Sequence, residues 1–290
     1  MNNSKAEKKL VFSKAKRVRI LYGVSRYLLL GVLSISTAFP LIWMFYSSFK
    51  TNQEFILSAV ALPSGFRWEN YVHAWNTANI GTYFFNSVFV SVVSIFFTVV
   101  LGALAAFVLA KFNFRAKALI MALFVIGMLI PLQTVLVPLF SLMRNFRLLN
   151  TPWSLIIVYT AFGLPLTIFL MESFIASFPD SILEAAVIDG ARIPVIFWSV
   201  VMPMTRPVVA TVAILNFLNN WKEFSFALVF INSDSKKTLP LGLYNFLGAY
   251  TTDYAGLMAA LTIATIPILV IYLVLQEQII KGMTAGAVKG

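Results

Sequence analysis

Four polar side chains in the last third of the chain have the spacing of one helix face. They are Asn216, Asn219, Asn220 and Glu223. Positions i, i+3, i+4 and i+7 lie along the same side of an α-helix. Amides donate and accept hydrogen bonds, and only Glu223 is charged, so this face suits a neutral polyhydroxyl compound better than an ion.

The surroundings of this face are apolar, which leaves two interpretations. Counting 1.5 Å per residue from Pro207 puts Asn216 near the middle of a bilayer and Lys222 about 22 Å along, near its outer boundary. Polar groups at such depth must face protein or a water-filled cavity. The face therefore indicates either a solute pathway or hydrogen bonding between helices. Lys222 is explained most simply as a cation that reaches toward the membrane surface.

A second helix face carries small hydroxyl residues at spacings of four, three and four. They are Ser87, Ser91, Ser94 and Thr98. Small residues of this kind let membrane helices approach closely. We therefore predict that this face packs against another helix.

The sequence lacks the patterns that common enzymes need. It contains no H-E-x-x-H, G-x-S-x-G or G-x-x-x-x-G-K-[ST] sequence, no cysteine and a single histidine, His73. These absences argue against a metal site, a thiol nucleophile and ATP binding by this chain. We expect a non-catalytic protein that holds no metal or cofactor of its own.

Composition places the chain in a membrane. Its 290 residues are 60% hydrophobic and 11% charged, with a mean hydropathy of +0.86, whereas soluble domains are roughly 45–50% apolar. A bilayer core of about 30 Å requires about 20 helical residues. We predict an all-α integral membrane protein with spans at 27–49, 82–110, 117–143, 153–175, 205–231 and 255–280.

The distribution of Lys and Arg predicts the orientation of these spans. With the amino terminus inside, inner segments hold 15 Lys and Arg and outer segments hold six. This bias is typical of cytoplasmic loops. We predict a basic cytoplasmic tail at 1–26, a transmembrane domain at 27–280, a cytoplasmic tail at 281–290 and both termini inside. The net charge of +11 then follows from topology and does not indicate nucleic acid.

The inner segment after the fourth span contains a short helix with its own boundary signals. Pro179 stops the preceding span, Ser181 and Glu184 have capping-box spacing, and Gly190 suits the left-handed position that ends a helix. The helix predicted at about 181–190 is too short to be stable alone.

The apolar residues of this helix must therefore pack on something. They are Ile182, Leu183, Ala185, Ala186, Val187 and Ile188. One partner is the inner surface of the protein itself, and the other is a second subunit. Small Ala185 and Ala186 would permit close approach of another helix.

These residues belong to a longer pattern. Glu184-Ala185-Ala186 is followed after three residues by Gly190, and after nine more by Val200, with Met202 and Pro203 beyond it. The pattern resembles the EAA loop of permeases of ATP-binding-cassette (ABC) importers, which usually has Ile and Leu at the positions of Val200 and Met202.

Three further segments are similar to the carbohydrate class of these permeases. They are residues 220–224, in which Lys222 stands where Asn is more usual, residues 238–243, and residues 282–290. Together they resemble the second permease of maltose-type sugar importers. The resemblance implies a type I ABC importer permease fold with a coupling helix that seats in a cytoplasmic ATPase.

The resemblance also implies residues and partners. The ATPase-coupling residues would be Glu184, Ala185, Ala186, Asp189, Gly190 and Pro203. The partners would be a second, homologous permease, two cytoplasmic ATPase subunits that bind ATP and Mg²⁺, and an extracytoplasmic sugar-binding protein, in the cell membrane of a prokaryote. The chain would form half of a carbohydrate pathway, with Asn216, Asn219, Asn220 and Glu223 as candidate pathway residues.

A secondary transporter or channel that works alone is the alternative. In that case the short inner helix is only a structural elbow. Six spans without an evident repeat or a buried acidic ion site argue against this alternative.

Overall fold

The computed structural model describes the backbone of residues 2–248 and 252–287 and the side chains of residues 23–76, 78–248 and 252–274. The described backbone consists of helices and loops, with one isolated bridge between Leu247 and Thr252. The α-helices are α1 Asn2–Ser47, α2 Asn52–Leu57, α3 Glu69–Val72, α4 Ile80–Lys111, α5 Lys117–Gly127, α6 Leu136–Asn145, α7 Pro152–Ala176, α8 Asp180–Ile188, α9 Ile193–Ile196, α10 Met202–Met204, α11 Arg206–Trp221, α12 Ser225–Phe230, α13 Leu239–Leu243 and α14 Tyr254–Ala287. Turns of π-helix lie at His73–Thr77 and Phe197–Val201, and 3₁₀ turns at Leu132–Val135, Asp234–Lys236 and Tyr244–Phe246.

Among the described residues, four helical segments are long and apolar enough to cross a bilayer without a break. They are Gly23–Ser47, Ile80–Lys111, Pro152–Ala176 and Tyr254–Val274. Two further segments qualify only as bent pairs: Lys117–Gly127 with Leu132–Asn145, bent by 96°, and Ile193–Met204 with Arg206–Trp221, bent by 76°. By length and composition the described chain has four spans, or up to six if each bent pair is one span.

The segment expected as one span at 117–143 is not one helix. α5 ends at Gly127, and the chain turns before it continues through Leu132–Val135 into α6. Pro131, between them, has an extended backbone with φ −66° and ψ 130°. Proline has no N–H to donate and disfavours helical geometry in the residue before it. It therefore divides an apolar run that hydropathy alone treats as continuous.

The segment expected at 205–231 is also interrupted. α11 ends at Trp221 and α12 begins at Ser225. Between them, the Glu223 carboxylate accepts hydrogen bonds from the N–H groups of Phe226 at 2.7 Å and Ala227 at 3.3 Å. These N–H groups would otherwise lack partners at a helix start, so the carboxylate stabilises a new helix at this point.

At both ends of the chain, a helix extends into the segment that is predicted as a tail. α1 begins at Asn2 and continues into the first apolar segment, so residues 2–26 of the predicted tail are helical. α14 extends through Ala287 and includes most of the tail predicted at 281–290. Residues 288–290 lie outside the described part of the chain.

The packing of α4 along α7 is the most extensive helix contact. A Cβ on Gly102 would lie 2.6 Å from Thr167 Cγ2, so glycine permits the close approach. The hydroxyl residues of α4 are buried, each at most 3% exposed: Ser87, Ser91, Ser94 and Thr98. Ser94 and Thr98 donate to carbonyls of their own helix, and Thr160 of α7 donates to the Ser94 carbonyl at 3.4 Å. The predicted packing role of this face is confirmed.

A polar layer surrounds the amino-terminal end of α4. Tyr83 Oη donates to Asp234 Oδ2 at 2.8 Å, and Asn86 Nδ2 donates to the carbonyl oxygens of Ser235 and Lys237, each at 2.9 Å. The Lys237 ammonium, followed by the Tyr83 hydroxyl, lowers the pKa of the Asp234 carboxyl. These contacts attach the loop before α13 to the start of α4.

The loop after α1 contains a separate capped turn. Glu54 and Thr51 form a capping box at the start of α2, and the Ser64 hydroxyl also donates to Glu54. The Ser64 hydroxyl, followed by the Thr51 N–H, lowers the pKa of Glu54 to about 2. The predictions from the sequence include a capping box in α8 but not the capping box of Thr51 and Glu54 in α2.

Candidate functional site

The short helix α8 begins one residue earlier than predicted. Asp180 is its first residue, and Pro179 occupies the cap position without a side-chain hydrogen bond. Ser181 therefore lies inside the first turn, and the capping box predicted there is not the arrangement observed. Instead, Lys111 Nζ donates to the carbonyl oxygen of Phe178 and to Asp180 Oδ1, each at 2.7 Å.

The predicted left-handed end of this helix is confirmed. Gly190 has φ +79°. Its N–H donates to the Val187 carbonyl at 2.9 Å, and the Ala191 N–H donates to the Ala186 carbonyl at 3.0 Å. These two bonds form a Schellman motif, which satisfies the last carbonyls of the helix.

The two faces of α8 have different surroundings. Leu183 and Ala186 pack against an apolar cluster that includes Phe107 of α4 and Ile175 of α7. On the other side, Val187 is 61% exposed and Ile188 is 85% exposed. The exposed residues predicted for coupling are Glu184, Ala185, Asp189 and Gly190. The helix bundle of this chain thus covers one face of α8, and the other face is exposed.

Pro203 lies on a different element from the other predicted coupling residues. It is exposed in α10, beyond the turn Phe197–Val201. Phe197 and Val201 are buried in the same apolar cluster that supports α8. The EAA-type pattern therefore folds into two exposed elements on one common support.

The four predicted pathway residues line one cavity of about 520 Å³. The broken third segment contributes Gly127, Met128, Ile130 and Leu132 to its wall. α7 contributes aromatic side chains, Tyr159 and Phe162. Lys222 also lines this cavity, so the chain places it beside a solute-sized space and not only at a membrane boundary.

The amides of the polar face differ in how far the protein itself engages them. Asn216 is 5% exposed, and its Nδ2 donates to Thr167 Oγ1 at 3.0 Å and to the Val212 carbonyl at 2.8 Å. It therefore joins α11 to α7. Asn219 is exposed to the cavity, and the buried Nδ2 of Asn220 has no hydrogen-bond partner among the described residues. The Asn219 side chain is therefore accessible from the cavity, whereas the amide nitrogen of Asn220 is not.

Glu223, beside the cavity, is hydrogen-bonded through its carboxylate to other parts of the protein. Its carboxylate caps α12 and also accepts a hydrogen bond from Tyr159 Oη at 2.7 Å. Both oxygens are therefore engaged by protein groups. This residue shapes the break between α11 and α12 and is less accessible to a solute than Asn219.

In the sequence, Lys111 indicates only the orientation of the spans. Its partner Asp180 is 69 residues away in the chain, so no local spacing could reveal the pair. A basic residue at the last position of an apolar helix was the available signal, and it also fits simple orientation. Tyr159, the partner of Glu223, was missed for the same reason, since 64 residues separate the two.

The chain is similar to known membrane components of transport systems. Residues 98–285 match the family model described as "Binding-protein-dependent transport system inner membrane component". The chain is 40% identical over 281 residues to the diacetylchitobiose uptake system permease protein NgcG of Streptomyces coelicolor, with 96% of this chain and 92% of that protein covered. It is 36% identical over 280 residues to the probable ABC transporter permease protein YurM of Bacillus subtilis, covering 97% and 93%.

The fold is also found in a solved structure. It belongs to a bacterial ABC transporter involved in the import of the acidic polysaccharide alginate. The TM-score is 0.80 at 22% sequence identity, and the match covers 90% of this chain and 97% of that one.

Proposed function

Because the chain belongs to the family of binding-protein-dependent transport system inner membrane components, we propose that it forms half of the translocation pathway of an ABC importer for a carbohydrate. It is a multi-pass membrane permease with the type I importer fold. One observation carries the proposal: the family match at 98–285 contains both α8, with its outward apolar face, and the cavity lined by Asn219 and Asn220.

On the cytoplasmic side, we propose that two ATPase subunits bind to the exposed face of α8. The exposed Val187 and Ile188 of α8 form an apolar surface that a partner would cover. Glu184, Ala185, Asp189 and Gly190 present the accessible side of the helix, while Ala186 supports it from within. Pro203 contributes to the same inner surface from α10. ATP and Mg²⁺ would bind to the ATPase subunits and not to this chain.

A carbohydrate is the solute class that the cavity favours. The amide of Asn219, which is exposed in the cavity, can donate to and accept from hydroxyl groups. Phe162 and Phe224 supply apolar surface in the same cavity, a combination typical of small-molecule sites. The name of the Streptomyces relative points the same way, since that protein serves the uptake of diacetylchitobiose.

The remaining partners follow from orientation. If residues 1–26 and 281–290 are on the cytoplasmic side, the loops at 48–79 and 231–248 would face outward. An extracytoplasmic sugar-binding protein would dock on them. The exposed apolar side chains of α1, such as Leu28 and Ile35, would face lipid or a second, homologous permease.

Reconstitution into liposomes tests this function. The chain alone should give no sugar uptake under an ion gradient or with ATP. Addition of the partner permease, the ATPase subunits and the loaded binding protein should give uptake that depends on ATP. Uptake by the chain alone under an ion gradient would instead identify a stand-alone secondary transporter.

A further inference from the structure

We infer that Lys111 is a positioning residue for energy coupling, which fixes the start of α8 to the cytoplasmic end of α4. The inference rests on the proposed function, because it assigns α8 to an ATPase partner. Lys111 is the last residue of α4, and its ammonium lies 2.7 Å from both the Phe178 carbonyl oxygen and Asp180 Oδ1.

The burial of Lys111 distinguishes it from an ordinary interfacial cation. Its side chain is only 7% exposed, whereas that of Asp180 is 76% exposed. An ammonium removed from water must be compensated by hydrogen bonds and an opposite charge. Both acceptors belong to the segment that starts α8. The position of α8 is therefore tied to the position of this one ammonium.

Other attachments of α8 to the bundle are apolar and incomplete. Its cap residue, Pro179, makes no side-chain hydrogen bond, and no residue of the helix is fully buried. Leu183 and Ala186 are only partly buried where they pack on the cluster beneath. Apolar contacts of this kind permit sliding, while the two directional bonds of Lys111 define where the helix begins.

α4 is suited to move α8 because it is continuous. It has 32 residues, which corresponds to about 48 Å at 1.5 Å per residue. Its other end is bonded through Tyr83 and Asn86 to the outer loop of Asp234, Ser235 and Lys237. A displacement of that loop would move α4 as a rigid helix and would therefore move Lys111. Coupling between the two sites is shown only by a measured change in activity when the connection is removed.

The test uses the complete transporter with Lys111→Met, Lys111→Arg and Asp180→Asn variants. Arg115→Met is the matched control, because Arg115 is an exposed cation four residues further along the same inner segment. ATP hydrolysis is measured with and without the sugar-loaded binding protein, and co-purification of the ATPase is measured in parallel.

Lys111→Met should reduce the stimulation of hydrolysis by the binding protein about tenfold, while basal hydrolysis and ATPase co-purification stay near wild type. Lys111→Arg, which keeps the positive charge, should retain stimulation near the wild-type level. Arg115→Met should not affect stimulation. Asp180→Asn changes an exposed residue and should give a smaller loss of stimulation. This variant tests the ion pair even if Lys111→Met does not fold.

Two results would overturn the inference. One is normal stimulation in both Lys111→Met and Asp180→Asn. The other is a parallel loss of stimulation, basal hydrolysis and co-purification, since the pair would then only hold α8 together. Failure of the proposed function is distinct, because the wild-type transporter itself would then show no ATP-dependent uptake.

Discussion

The amide oxygen of Asn216 lies against the backbone of Gly163, where a Cβ atom would be only 2.2 Å from Oδ1. The same Cβ would be 2.9 Å from Thr98 Cγ2. One glycine therefore allows α4, α7 and α11 to meet at the level of the cavity. Gly163→Ala should lower the stability by about 1–3 kcal/mol through overpacking, measured as a lower thermal unfolding midpoint in detergent.

Gly127→Ala is the matched control for this prediction. A Cβ at Gly127 would meet its nearest neighbour, Pro165 Cγ, at 3.6 Å, which is an ordinary contact. Its unfolding midpoint should stay at or slightly above that of the wild type, since alanine favours helices more than glycine does. Equal midpoints for the two variants would contradict the close contact of Asn216 with Gly163.

Asn219 and Asn216 should respond differently to truncation. Asn219→Ala removes an amide exposed in the cavity, so sugar uptake should fall while the unfolding midpoint stays unchanged. Asn216→Ala removes two buried hydrogen bonds, including the one to Thr167, and should lower stability by about 1–3 kcal/mol. Uptake assays and thermal unfolding of both variants are the measurements. Normal uptake with Asn219→Ala would remove this residue from the pathway.

The sequence was sufficient for the membrane class, the existence of the short helix α8 and the helix face shared by Asn216, Asn219 and Asn220, because these depend on local periodicity; Glu223, expected on the same face, lies beyond the end of α11. It was not sufficient for the breaks at Pro131 and Glu223. An apolar segment that is broken into two helices has the same hydropathy as one continuous helix. The side chains that hold such a break in place can be distant in sequence. Tyr159 and Glu223, for example, meet only after the chain folds.

The same limit applies to the support of α8. Its end could be predicted because Gly190 acts within its own turn. Its start could not, because Lys111 replaces the expected local cap from a distant helix. Ala185 and Ala186 also looked equivalent in sequence, and packing alone separates an outward residue from an inward one.

Gly190→Ala should weaken coupling without a steric clash. A Cβ at Gly190 would meet nothing within 4 Å, but φ of +79° is unfavourable for alanine by about 1–2 kcal/mol. The helix end should fray, and ATP-dependent uptake should fall. Gly190→Asn should cause a smaller loss of uptake, because asparagine tolerates the left-handed region better than alanine does.

Gly65→Ala is the control, since a Cβ there also meets open space but the backbone has no positive φ. Equal uptake by all three variants would contradict the role of the left-handed end.

The loop after α1 should show a pH dependence that arises from Glu54. Its pKa is lowered to about 2 from 4.5 in the folded loop. The contribution of its hydrogen bonds to folding is therefore complete above pH 4.5 and is lost as the pH falls toward 2. Glu54→Gln should accelerate amide hydrogen exchange in residues 51–64 at pH 6, and the difference from wild type should shrink between pH 4.5 and pH 3. Glu69→Gln, on α3 of the same loop, is the control. A difference that grows on acidification would refute the assignment.

The most direct test of the central claim is a cross-link from α8 to the ATPase. The chain has no cysteine, so Ile188→Cys provides a single thiol at a site that is 85% exposed. In the complete, transport-active complex it should cross-link to the ATPase subunit through a short thiol-to-amine reagent. Cysteine at Val60, which is 63% exposed in the loop after α1, should not. Absence of the Ile188→Cys cross-link in a complex that still imports sugar would contradict docking through α8.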